Sequence, residues 1–111
     1  MAYRTDTRAL VMAVLSKGPA HGYGISKAIR EQSGSALKLG EGQLYPILHE
    51  LEESGFVAAE WEIQEGDPPR RVYTLTPKGK KELAKRAAKW SEFANAVSSV
   101  LSAAPEMKVE A

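Results

Sequence analysis

The chain contains no cysteine. That excludes disulfides, thiolate metal sites and a cysteine nucleophile, and it fits a reducing cytoplasm, where the protein is expected to reside. Long hydrophobic runs are missing too. The N-terminal apolar stretch Leu10–Leu15 is six residues long, and Asp6 lies among the charges before it. Neither a signal peptide nor a membrane helix is expected, and no membrane partner. Nor is there a surplus of one charge: 15 basic against 14 acidic residues leave a net charge of +1. The chain as a whole is no polycation, so any affinity for nucleic acid must come from local placement of charge. Histidine is limited to His21 and His49, without a ligand-spaced pair, so no metal and no other cofactor is expected. Gly22-Tyr23-Gly24 followed by Lys27 lacks the spacing of a phosphate loop. No Ser/His/acid arrangement stands out, and an enzyme is not expected.

What is present suits one small domain: 111 residues, of which 43% are hydrophobic. A first helix is predicted over Thr5–Ser16, with Thr5, Asp6 or Thr7 as its cap. Leu10, Val11, Val14 and Leu15 form its apolar face. Met12 and Ala13 broaden that face enough for a second contact. Gly18-Pro19 ends it. His21-Gly22-Tyr23-Gly24 opens a second helix, which carries Ile25, Ala28 and Ile29 and ends near Gly34. A third helix starts near Gly42 with Pro46 in or near its first turn, where Pro is best tolerated. Leu44, Ile47, Leu48 and Leu51 follow the i, i+3, i+4, i+7 spacing of a core face, and Gly55 closes the helix.

A hairpin follows. Val57, Ala59, Trp61 and Ile63 alternate with Ala58, Glu60 and Glu62, as in a half-buried strand. Gln64–Arg70 reads as a loop framed by Gly66, Pro68 and Pro69. Its end is basic, with Arg70 and Arg71. Tyr73 and Leu75 supply the inward face of the return strand. Thr76-Pro77 reads as the cap and first residue of a last helix, over Pro77 to Ser102. At ~1.5 Å per residue it spans ~39 Å, more than so small a domain needs. Leu83, Ala87, Trp90, Ala94, Val97 and Leu101 are spaced 4, 3, 4, 3, 4, a sustained heptad seam that Phe93 and Val100 widen. Such a helix needs a partner. Residues 105–111 read as an unordered tail.

Helix, helix, helix, hairpin with a basic tip: this is how a winged helix-turn-helix presents itself to DNA. The expected fold is α+β, mainly α. Residues 1–76 form the winged helix domain and residues 77–104 a C-terminal dimerisation helix.

The chain also resembles the PadR family of bacterial transcriptional regulators. The matching pieces are Gly18-Pro19-Ala20-His21-Gly22-Tyr23-Gly24-Ile25, Leu44-Tyr45-Pro46-Ile47-Leu48-His49 and Leu51-Glu52-Glu53-Ser54-Gly55. Pro68-Pro69-Arg70-Arg71-Val72-Tyr73-Thr74-Leu75-Thr76 and Trp90 complete them. The match runs from about Leu10 to Leu101. It implies a homodimeric winged-helix repressor of operator DNA, of the compact branch in which one long helix makes the dimer. Glu50 departs from the pattern. It stands where members often carry Arg, which puts a phosphate or base contact from that position in question.

The third helix is expected to enter the major groove with its N-terminal half, presenting Gln43, Tyr45, Pro46 and His49. Residues 41–55 hold four Glu and no Lys or Arg. Taken alone, that composition favours a solvated face or a winged-helix protein–protein interaction module over DNA. Phosphate contacts must then come from Arg70 and Arg71, from Lys78, Lys80 and Lys81 at the start of the last helix, and from Lys27, Arg30 and Lys38 beside the third helix. Residues 57–86 carry seven basic and five acidic groups, a local +2. Leu83, Ala87, Trp90, Ala94, Val97 and Leu101 are the expected dimer interface. Compact members of the family can hold flat aromatic compounds between paired aromatic side chains. That makes Trp90, joined by Trp61, the candidate site for a planar aromatic effector.

Overall fold

The computed structural model describes residues 6–105. Three helices come first: α1 (Thr7–Leu15), α2 (Gly22–Gln32) and α3 (Glu41–Glu53). The short strand β1 (Ala20–His21) lies between α1 and α2. The hairpin β2 (Val57–Gln64) and β3 (Asp67–Leu75) follows, then α4 (Pro77–Ser102). The sheet is antiparallel in the order β1-β3-β2.

Asp6 is the cap of α1; its Oδ1 accepts from the Ala9 N–H at 3.1 Å. Thr5, the other cap expected ahead of the helix, lies outside the described residues, as does the expected unordered tail from position 106 on. The sequence reading had no β1. Two residues carry too little pattern to show a strand, and this one exists because Ala20 and His21 pair with Tyr73 and Val72 of β3. His21 also caps α2, its Nδ1 accepting from the Gly24 N–H at 3.3 Å. Pro46 sits in the second turn of α3 rather than the first, so the Gly42 carbonyl lacks its helical N–H partner.

One core joins these elements. Val11, Met12 and Leu15 of α1, Ile25 and Ile29 of α2, and Leu44, Ile47, Leu48 and Leu51 of α3 meet Val57 and Tyr73 of the sheet. Met12 is completely buried there. It is spent on the chain's own core and not available for the second contact expected of it. The core face of β2 ends at Ala59: Trp61 is 64% and Ile63 87% exposed. The hairpin outruns the domain beneath it, so alternation continues with nothing left to bury against.

Helix α4 starts with a firm attachment. Thr76 Oγ1 accepts from the Gly79 N–H and donates to the Gly55 carbonyl, at 3.0 and 2.6 Å. Gly79 is buried so closely that a Cβ there would stand 2.0 Å from the Phe56 carbonyl oxygen. Leu83 still packs on the core. Arg86 is also bonded to Asp6 at the start of α1. Farther along, the helix leaves the domain, and the molecule is elongated, 61 × 27 × 21 Å.

Candidate nucleic-acid interface

Core burial of Leu44, Ile47, Leu48 and Leu51 decides which side of α3 is left. Gln43, Tyr45, Pro46, His49 and Glu50 are exposed, so the side chains expected to face DNA do point outward. The Tyr45 ring leans on the start of α2. A Cβ on Gly22 would lie 2.7 Å from its hydroxyl, so the glycine is what lets the ring approach. Lys38 is exposed two residues before the Gly40 cap of α3.

The wing differs from the expected one. Pro68, Pro69 and Arg70 belong to strand β3, not to a loop. The turn is only Glu65-Gly66, so the tip carries Glu65 with Asp67 beside it and is acidic rather than basic. Two prolines read as loop punctuation, but they sit where the outer end of a hairpin tolerates them. As consecutive strand residues, Arg70 and Arg71 point to opposite faces. Arg70 pairs with Glu62 across the hairpin, Nη2 to Oε1 at 3.0 Å. Arg71 reaches α3, its Nη2 donating to Glu52 Oε2 at 2.9 Å. The Trp61 ring lies under its guanidinium, 5.4 Å from carbon to centroid.

Ion pairs offset part of the acidity of α3. Of the four Glu of α3, Glu52 is matched by Arg71 and Glu50 by Arg8, whose Nε and Nη2 donate to both carboxylate oxygens at 2.8 and 2.6 Å. The Arg8 hydrogen bonds hold the Glu50 carboxyl below its ordinary range. His49 Nε2 lies 2.6 Å from Glu53 Oε1, an ion pair when the imidazole is protonated. Glu41 sits in the first turn, where the helix dipole favours an anion. No local sequence signal could have found Arg8–Glu50 or Arg71–Glu52, which join residues 42 and 19 positions apart. Lys78 is also committed: its ammonium donates to the Ser54 carbonyl at 2.8 Å and lies over the Phe56 ring.

Between α3 and the wing runs an open cleft of about 560 Å³ lined by Tyr45, His49, Glu52, Glu53, Arg71 and Tyr73. Burial raises the Tyr73 phenol above its ordinary value, so it stays protonated and can donate.

A second concavity, about 170 Å³ and mainly apolar, lies between α1 and α4. Asp6, Ala9, Leu10, Ala13, Leu83, Arg86, Ala87 and Trp90 line it. Arg86 closes one end, its Nη1 donating to Asp6 at 3.1 Å and its Nε to Glu82 at 2.6 Å. Trp61 does not line this groove; within one chain it belongs to the wing and Arg71. Along the rest of the seam, Ala94 is half-buried, while Trp90, Val97 and Leu101 are 49%, 41% and 42% exposed. Phe93 and Val100 are exposed beside them. No helix among the described residues is long and apolar enough to cross a membrane.

Comparison with known proteins agrees with this architecture. The model of the transcriptional regulator PadR-like family matches residues 11–85. The negative transcriptional regulator PadR of Bacillus subtilis is 34% identical over 73 residues, 66% of this chain and 40% of that protein. This chain thus spans well under half the length of that relative. Its crystal structure in complex with operator DNA superposes with a TM-score of 0.66 at 32% identity, covering 71% of this chain and 44% of that one. A transcriptional regulator of Mycobacterium tuberculosis is 30% identical over 94 residues, 85% of this chain and 84% of that protein. A PadR family transcriptional regulator from Eggerthella lenta superposes with a TM-score of 0.72 at 31% identity, covering 88% of each chain. With its helix-turn-helix, its wing and its long last helix, the chain belongs to the PadR-like family of transcriptional regulators.

Proposed function

We propose that the protein is a homodimeric repressor that binds operator DNA through α3 and the wing. One observation carries this reading: Gln43, Tyr45 and His49 are all exposed on α3, in a fold shared with a regulator crystallised on its operator. Gln43 can read adenine with both its amide atoms, and Tyr45 and His49 can bond base or phosphate. Arg70, Arg71 and Lys38 supply phosphate contacts. A DNA partner is consistent with a protein that works in the cytoplasm.

The dimer reading rests on α4. Trp90, Phe93, Val97, Val100 and Leu101 leave large apolar side chains in water on one helix. Full burial of each is worth roughly 1.5–3 kcal/mol. A second copy related by a two-fold axis would cover them and set the spacing of the two recognition helices, which must match successive major grooves ~34 Å apart. A planar aromatic molecule held against Trp90 would alter that packing and release DNA, provided it favours the DNA-incompatible dimer. Trp61 has no part in that site within one chain.

The test is a gel shift on the gene's own upstream region at two salt concentrations. Retarded DNA with steep salt dependence is expected, because phosphate contacts release counterions. No shift at low salt would leave the acidic α3 as a protein-binding surface and sink the repressor reading. For the effector, planar dyes should quench Trp fluorescence in the wild type and not in Trp90→Ala.

A further inference from the structure

The cleft between α3 and the wing holds an arginine, Arg71, already occupied by a carboxylate of the same chain. With α3 in the major groove and the hairpin at the neighbouring minor groove, the backbone strand between the grooves passes over this cleft. Of its lining, the Arg71 guanidinium, the His49 imidazole and the hydroxyls of Tyr45 and Tyr73 would suit a phosphate, while the carboxylates of Glu52 and Glu53 oppose one. Yet Arg71 is held by Glu52 at 2.9 Å. A carboxylate presents an arginine with two oxygens much as a phosphate does.

Resting on the DNA-binding reading above, we propose that Glu52 is a phosphate stand-in. It occupies Arg71 in the free protein, and a backbone phosphate must displace it, so Glu52 sets how tightly the protein holds DNA of any sequence. Trp61 has the opposite task. The guanidinium carbon lies over the ring, 5.4 Å from its centroid, while Glu52 takes one N–H, that of Nη2, at the guanidinium edge. A phosphate needs the edge and not the face. When Glu52 lets go, Trp61 keeps Arg71 aimed into the cleft, which makes it a positioning residue. The exchange is easily made, because both members of the ion pair are about one-third exposed and such pairs are weak.

Two variants with opposite expected signs test this. Binding of the full chain to a labelled random-sequence duplex, and to a duplex from its own upstream region, is followed by fluorescence anisotropy. Glu52→Gln should tighten both by about two- to fivefold at low salt, the range of an exposed ion pair, with the gain fading as salt rises. Trp61→Ala should weaken both by a similar factor. Glu60→Gln makes the same charge change on β2 without releasing a cation and should give a smaller gain. In an Arg71→Gln background the Glu52→Gln gain should vanish; simple repulsion between Glu52 and DNA would leave it intact. Melting temperatures of all variants establish that they are folded. If Glu52→Gln weakens binding or leaves it unchanged while the wild type binds, the stand-in is wrong and the DNA reading survives. If neither wild type nor Glu52→Gln binds either duplex, the DNA reading fails and this inference with it.

Discussion

The winged domain and the distal half of α4 use the same kinds of side chain at the same helical spacing, with opposite results. Leu44, Leu48 and Leu51 of α3 are at most 1% exposed, whereas Val97 and Leu101 of α4 are 41% and 42% exposed. The domain closes on itself: three helices and a sheet cover one another's apolar faces. Helix α4 closes only over its first half, where Gly79 and Leu83 pack on the domain and Arg86 bonds to Asp6. A heptad pattern says that a face must be covered but not by what. In α1 to α3 the cover is the chain itself. In α4 it is absent from the single chain, and that difference is the physical basis of the proposed dimer.

Changes in the domain should cost stability whatever the oligomeric state. Leu48→Ala empties a site that is 0% exposed and should destabilise by about 2–5 kcal/mol, measured by denaturant unfolding. Gly79→Ala places a methyl group against backbone that cannot yield freely, and about 1–3 kcal/mol is expected at least. Equal stability of wild type and Gly79→Ala would mean that α4 does not dock as described. On the other side of the comparison, Val97→Glu should leave the fold of one chain intact, shown by an unchanged far-UV spectrum. It should give monomers and abolish operator binding. Operator binding by a monomeric Val97→Glu would separate the two functions that α4 is held to connect.

The wing permits a finer division. Arg70→Ala and Arg71→Ala should each weaken binding to all sequences and lower the salt slope by about 0.9. Gln43→Ala or His49→Ala should instead alter preference at a few base pairs, by about 1–3 kcal/mol at each. A selection of preferred sequences for each variant distinguishes the two classes. Unchanged binding in both arginine variants would take the wing off the DNA.

The smallest effect concerns acid. The Arg8 and Arg86 hydrogen bonds hold the Glu50 and Glu82 carboxyls below their ordinary value of 4.5. Groups shifted in this direction add stability above that value and lose it as pH falls through their lowered folded values. Glu50→Gln and Glu82→Gln should therefore flatten the acid limb of stability against pH and leave its shape near neutrality unchanged. An acid limb identical to wild type would show that these pairs hold nothing.

Much of the fold was legible because long, strongly periodic segments carry their own evidence. The seam of α4, the core stripe of α3 and the Thr76-Pro77 start of α4 all follow from spacing and capping chemistry. The sequence was misleading where the outcome depends on distant partners. Strand β1 exists through Tyr73 and Val72; the prolines of β3 lie within a strand because Gln64 and Asp67 pair across the turn. Arg70 and Arg71 read as one basic tip because adjacency in sequence looks like adjacency in space, and a strand sends neighbours to opposite faces. The offset of Glu50 and Glu52 is not legible within α3, because Arg8 and Arg71 lie far away along the chain.

The claim on which dimer, operator spacing and effector all depend is that a second copy covers α4. Light scattering of the wild type, at the concentrations used for DNA binding, measures it directly. The account predicts twice the chain mass of 12.1 kDa, falling to the mass of one chain in Val97→Glu. A wild type that scatters as one chain at those concentrations would contradict it.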